Sequence, residues 1–254
     1  MTARSAQLHP LDVNPSSGEV FLRLSSPHEN IIITPPRLSD VDVIPALMND
    51  PRVHQTLEGP PYPYLPEHAE LWIKAVKSGC DAVLAQLEHA AETGQMGPII
   101  VDGCPVRILR EVREDGTDIF LGDIAIDRNG KFDTSGDTEA EKELELANMA
   151  RPVGDDEIVW SFGDYLSPSH HGKGIMTAAI KAILYQWAVP RMNAKKAIGT
   201  VFKGNIGSIR VFEKNGFVMR GTVKNWGNIP EGRGGGKVDL HFMEWNFESA
   251  SHAT

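Results

Sequence analysis

A β-rich run, Ile158 to Leu166, passes through Ser167-Pro168-Ser169-His170-His171-Gly172-Lys173-Gly174 into an apolar-periodic segment beginning at Ile175. This junction restricts the fold more than any other stretch of the chain. Glycine lets a backbone turn tightly and come close to a ligand. A helix start carries unpaired N–H groups and partial positive charge, and so suits an anion. The junction therefore predicts a phosphate or pyrophosphate cradle between Pro168 and Thr177, although an ordinary glycine-bearing strand–helix turn has the same shape. It is not the dinucleotide fingerprint, because Thr177 stands where G-x-G-x-x-G needs its last glycine. Nor is Gly232 to Lys237 a P-loop, since Glu231 takes the place of the first glycine and Val238 that of the Ser or Thr.

The 254 residues suffice for one large domain or two small ones. An apolar content of 41% and a charged content of 23% are ordinary for a globular protein. No apolar run approaches the roughly 18 residues of a membrane span, and the N-terminus lacks a signal-peptide pattern. Cys80 and Cys104 have neither metal-ligand spacing nor a disulfide framework, so a cytoplasmic protein with free thiols and no bound metal is expected. The net charge of −9 is unevenly spread. Residues 131–157 hold nine acidic and three basic side chains, whereas 170–224 hold ten basic side chains and one acidic, Glu213. The positive charge gathered around the glycine turn would attract a polyanion. Nucleic acid is not the expected one, since no nucleic-acid motif appears and aromatic content is only 7%.

Residues 1–28 are polar and Pro-rich and read as a disordered N-terminal arm. One domain spans 29–248. Ile31 to Thr34 is a first strand, and Ser39-Asp40-Val41-Asp42 resembles a capping box for a helix reaching about Asn49. Two helices follow, one from about Glu67 carrying Trp72 and one from Asp81 to Thr93, separated at Gly79. Val106–Val112 and Asp118–Ile126 form a strand pair. Residues 131–156 are an acidic insertion. A helix runs from Gly174 to Val189 and stops at Pro190; Ala197–Phe202 is a strand; Asn205–Asn215 is a helix closed by Gly216. Phe217–Trp226 and Val238–Trp245 are the last strands. Trp226 and Trp245 leave open a homodimer edge or a place in the core.

Some 30 residues after the glycine turn comes Asn205-Ile206-Gly207-Ser208-Ile209-Arg210-Val211-Phe212-Glu213-Lys214-Asn215-Gly216-Phe217. Together with the strand–loop–helix at 166–177, this N-x-x-S…F-E-K-x-G-F pattern resembles the GNAT N-acetyltransferase superfamily. Pro35-Pro36-Arg37-Leu38-Ser39-Asp40, Asn49-Asp50-Pro51 and His68-Ala69-Glu70-Leu71-Trp72 are similar to its branch that acetylates ribosomal-protein N-termini. The likeness extends from about Ile31 to Trp245 and implies a GNAT fold: α/β, with a mixed, mostly antiparallel central sheet flanked by helices. The family's Q/R-x-x-G-x-G/A loop falls on His171, Gly172, Lys173, Gly174, Ile175 and Met176, with His171 and Met176 as departures.

The resemblance implies acetyl-CoA as donor and an amine as acceptor. The pyrophosphate would rest on the amides of 172–177. The pantetheine arm would pair with backbone near Tyr165 and Leu166, and Asn205 would hold it from the other side. Lys173 and Lys214 would face phosphates. The tyrosine that often protonates the leaving thiolate in the family corresponds to Phe212, so Ser208 takes that role by the resemblance; a second N-cap hydroxyl is the alternative. The family's strand glutamate falls on Ser161, and a water relay touching Asp123 or Ser161 is expected as the base. Glu157, Asp164 and Asp239 are the other strand-associated carboxylates. The acidic insertion and the loop at 227–237 are expected to frame the acceptor site.

Overall fold

The computed structural model describes residues 2–128 and 138–247. Its strands are β1 (Asp12–Val13), β2 (Val20–Arg23), β3 (Ile31–Thr34), β4 (Ile108–Val112), β5 (Asp118–Arg128), β6 (Val159–Leu166), β7 (Lys196–Phe202), β8 (Val218–Asn228) and β9 (Lys237–Asn246). They form one sheet in the order β1-β2-β3-β4-β5-β6-β7-β9-β8. Every neighbouring pair is antiparallel except β6–β7. The helices are α1 (Ala3–Leu8), α2 (Ile44–Met48), α3 (Pro51–His54), α4 (Pro66–Glu92), α5 (Thr138–Met149), α6 (Ile175–Ala182), α7 (Val189–Met192) and α8 (Ile206–Glu213). This is the expected α/β architecture, a mostly antiparallel sheet flanked by helices.

The parallel pair creates the functional geometry. β6 and β7 are in register only from Val159↔Lys196 to Phe162↔Gly199. β6 stays paired with β5 as far as Leu166, and β7 stays paired with β9 as far as Phe202. The two strands thus diverge after Phe162, and the sheet opens in a V. Packing keeps the lower part closed. A Cβ at Gly199 would lie 2.4 Å from Cζ of Phe212, so glycine is what lets the α8 ring rest on β7. Trp160, Trp187 and Trp245 are fully buried, which assigns Trp245 to the core.

Residues 2–28 are ordered, contrary to the expectation of a disordered arm over 1–28. Leu8, Leu11, Val20, Leu22 and Leu24 belong to the main core cluster. Two buried polar side chains fix the start of the chain. Gln7 donates to the carbonyls of Gln95 and Gly97 and accepts from the Ile99 amide, while Arg191 donates to the carbonyls of Gln7 and His9. Such long-range polar anchors leave no mark in local composition.

Two helix boundaries also differ from expectation. α4 runs unbroken through Gly79, because Ala69, Ile73, Cys80, Val83, Leu87 and Ala90 form one continuous buried stripe. Burial of that stripe exceeds the ~1 kcal/mol cost of a helical glycine. Pro190 does not stop the later helix. α6 widens into a π-helical stretch, Ile183–Ala188, which flows into α7 and ends at left-handed Asn193. Near the start of the domain, a 3₁₀ turn (Leu38–Asp42) precedes α2, and Asp40 accepts from the Arg37 amide while both its oxygens take hydrogen bonds from buried Arg110.

Part of the acidic insertion, residues 131–137, lies outside the described residues. The remainder forms α5, pinned to β6 by reciprocal hydrogen bonds between the Asn148 amide and the Val159 backbone. That contact is at the start of β6, away from the V.

Candidate active site

The V holds a cavity of about 570 Å³, walled by β6 from Phe162, the turn into α6, β7 from Thr200, α8 and the segment 52–58. The turn exposes its backbone amides. Gly172 and Gly174 adopt φ of +74° and +82°, a left-handed region in which L side chains are strained. The six consecutive N–H groups from Gly172 to Thr177 make no hydrogen bond to the described residues; the first helical bond of α6 is Ala178 N–H to Gly174 O. Free amides at a helix start, presented by left-handed glycines, form a concave site for phosphate oxygens. Ile175 and Met176 turn their side chains into the core, so they offer only backbone.

The histidines of the turn act as braces. His171 Nε2 lies 2.8 Å from the Leu166 carbonyl oxygen. His170 lies 2.9 Å from Ser169 Oγ through Nδ1 and 3.4 Å from Glu111 through Nε2. No cluster able to hold a metal occurs among the described residues.

On the facing wall, Asn205 caps α8 by accepting from the Ser208 amide at 3.2 Å. Both residues line the cavity, as do Tyr165, Leu166, His171, Gly172, Gly174, Ile175, Met176, Thr177 and Lys214. Lys173 sits exposed on the turn outside the lining. The Tyr165 hydroxyl is buried on the side of Trp72 without a partner among the described residues, and desolvation raises its pKa well above the ordinary value. Phe212 is 2% exposed, its para carbon against β7, so no hydroxyl is presented from that position.

The two expected base residues do not fit. Asp123 is buried with both oxygens held by Arg107, at 2.6 and 2.8 Å, and it does not line the cavity. A carboxylate engaged in two strong charge-assisted bonds has little capacity left for a substrate proton. Ser161 lies below the V, flanked by Asp127 on β5 and Ile198 on β7, and also does not reach the lining. Glu157 and Asp239 are paired with Lys196 and Lys203. Asp164 is different. It is half-buried on the wall of the cavity, it takes no hydrogen bond or ion pair from the described residues, and burial first, then the Asp123 charge, push its pKa up to about 7. Its residue type did not single it out; its position on the diverging part of β6 does.

Sequence reasoning also missed the wall formed by Arg52, Val53, Thr56, Leu57 and Glu58. The 229–236 loop holds that wall from behind. Arg233 donates to the carbonyls of His54 and Leu57, the Asn228 amide donates to Glu58, and Gly232 packs so close to the Tyr62 carbonyl that no Cβ would fit. The loop thus braces the expected acceptor side without lining it. No described residue of 138–156 lines the cavity, so the described part of the acidic insertion does not frame it. The basic C-terminal half is mostly spent elsewhere. Arg191 anchors α1, Lys196, Lys203 and Arg220 pair with carboxylates, and the cavity receives Arg210 and Lys214.

A split sheet with a free-amide turn at the mouth of the split is the arrangement the cavity presents. Residues 30–218 match the family model for the acetyltransferase (GNAT) domain, and the chain belongs to that family. Over 92 residues it is 35% identical to the N-acetyltransferase aca1 of Schizosaccharomyces pombe, a match covering 36% of this chain and 42% of that protein. The chain thus aligns with less than half the length of this curated relative. Among solved structures it is similar to RimL, a ribosomal L7/L12 α-N-protein acetyltransferase (TM-score 0.59, 14% identity, 93% of this chain and 99% of that one). It is also similar to Mycobacterium smegmatis RimJ in complex with CoA-disulfide (TM-score 0.52, 19% identity, 92% and 91%).

Proposed function

We propose that the chain transfers acetyl directly from acetyl-CoA to a primary amine of a small molecule, peptide or protein. The observation that carries this reading is the run of unpaired amides from Gly172 to Thr177 at the mouth of the V. Bound acetyl-CoA would supply a thioester, an activated acyl group. The amides would hold its diphosphate, with Lys173, Arg210 and Lys214 adding positive charge. The edge of β6 that β7 leaves beyond Phe162 would take the amide-bearing arm as an extra strand near Tyr165 and Leu166, and the Asn205 side chain would meet it from α8. Ser208 would donate its hydroxyl to the departing sulfur, a role that buried Phe212 cannot fill.

The acceptor would approach between β6 and the 52–58 wall, where Glu58 and Asp164 favour a cation. Cys80 and Cys104 are free thiols, compatible with action in the cytoplasm.

Titration calorimetry with CoA, followed by thiol release from acetyl-CoA in the presence of an amine panel, tests the proposal. Heat of binding together with an acetylated amine is expected. Because no tyrosine occupies position 212, a non-catalytic acyl-CoA-binding module is the second reading; tight binding with no product from any amine would select it. Absence of CoA binding would eliminate both.

A further inference from the structure

We propose that Asp164 is the catalytic base that takes the proton from the acceptor ammonium. The inference rests on the acetyl-transfer reading and identifies the group that makes the amine nucleophilic. Three observations place the role here. Asp164 lies on β6 two residues beyond Phe162, the last residue in register with β7, so it stands where the strands separate. It lines the cavity. It takes no hydrogen bond from the described residues, in contrast to Asp123, held by Arg107, and to Glu58, which accepts from the Asn228 amide at 3.0 Å. The cavity-lining histidines are committed to the turn, His171 to Leu166 and His170 to Ser169 and Glu111.

An ammonium has no lone pair, so one proton must leave before attack. Asp164 as carboxylate receives it. The neutral amine nitrogen then forms a C–N bond to the acyl carbon while the C–S bond breaks and its electron pair stays on sulfur. The second nitrogen proton passes to that sulfur by way of the Ser208 hydroxyl. The products are an amide, a thiol and protonated Asp164, which returns its proton to water. A base titrating near 7 is half ionised at neutral pH and strong enough to share the proton of an amine. The charges around it are Asp123 with its partner Arg107 on the β5 side, and Glu58 and Arg52 on the facing wall. His170 and His171 on the turn and Arg210 and Lys214 on α8 complete the cavity's charged lining.

The test compares wild type with Asp164→Asn and Asp164→Glu, using two acceptors at saturating acetyl-CoA. One acceptor is the best primary alkylamine or peptide α-amine from the panel. The other is trifluoroethylamine, which is already neutral at pH 7. Asp164→Asn is expected to bind CoA within threefold of wild type, to lose about 100-fold or more in kcat with the ammonium acceptor, and to lose the acid limb near pH 7. With trifluoroethylamine the defect should shrink to within tenfold, and Asp164→Glu should retain an acid limb. Retention by Asp164→Asn of a third or more of kcat, or an equal defect with both acceptors, would overturn the assignment while leaving acetyl transfer intact. Wild type that binds CoA but acetylates no amine would instead overturn the transfer reading, and the base with it.

Discussion

Replacing both Gly172 and Gly174 with alanine isolates the backbone contribution to ligand binding. A Cβ at 172 would meet nothing within 4 Å, and one at 174 would meet His28 Nε2 at 3.6 Å, an ordinary contact. Steric clash is therefore absent, and the cost is conformational. An L-residue in the left-handed region costs about 1–2 kcal/mol, so the pair costs about 2–4 kcal/mol. The free turn can escape this strain by moving to negative φ, which rotates the amides out of the cradle. The strain then reappears when ligand draws them back, and CoA affinity should fall by roughly 30- to 1000-fold at about 1.4 kcal/mol per decade. Calorimetry with CoA measures the loss directly. Thermal unfolding should move little, because the free turn relaxes. A single Gly174→Asn change should cost less than Gly174→Ala, since asparagine tolerates the left-handed region better. CoA affinity within threefold of wild type for the double alanine variant would refute the amide cradle.

Ser208→Ala should lower kcat by about 10- to 100-fold with little change in the acetyl-CoA KM, read by thiol release; an unchanged kcat would assign Ser208 to helix capping alone. Phe212→Tyr should fail to compensate and should destabilise by about 1–3 kcal/mol in urea titration, because the added hydroxyl grows from the para carbon that already rests on Gly199. Arg191→Met should cost about 2–4 kcal/mol and expose the N-terminal segment to proteolysis, since the carbonyls of Gln7 and His9 lose their donor. Asp164→Asn should stabilise the protein at alkaline pH. The native fold raises this carboxyl from 3.8 to about 7, so the stability supplied by its neutral form is present below pH 3.8 and is lost as pH rises to about 7. At roughly 1.4 kcal/mol per pH unit the loss is at most about 4 kcal/mol, and urea midpoints at pH 4 and pH 8 should show the variant's advantage only at pH 8.

From β3 onward the strands, and the helices α6 and α8, were legible because their signals are local. Gly172 and Gly174 mark a turn, Asn205 a helix start and Gly216 a helix end, and each carries its conformational reason within a few residues of chain. The features that were misread depend on distant partners. The ordered N-terminus rests on Arg191, which meets Gln7 across 184 positions of sequence. The unbroken α4 rests on what its apolar stripe packs against, which composition around Gly79 does not disclose. The 52–58 wall is held by Arg233 and Gly232, nearly the length of the domain away.

The base illustrates the same limit most sharply. Asp123 and Asp164 are both aspartates on adjacent strands, and Asp123 is paired with Tyr165, the neighbour of Asp164. Residue type cannot separate them. Arg107, 16 positions upstream, engages both oxygens of Asp123 and commits it to structure. Asp164 has no such partner and lies at the edge of the V, where β7 has already turned away to follow β9. The divergence of two parallel strands thus does two things at once: it opens the space that a phosphorylated arm would enter, and it leaves the Asp164 carboxylate on that space with no donor among the described residues. A charge left uncompensated in this way is costly to the fold, and the ammonium of the proposed acceptor would offset that cost when bound.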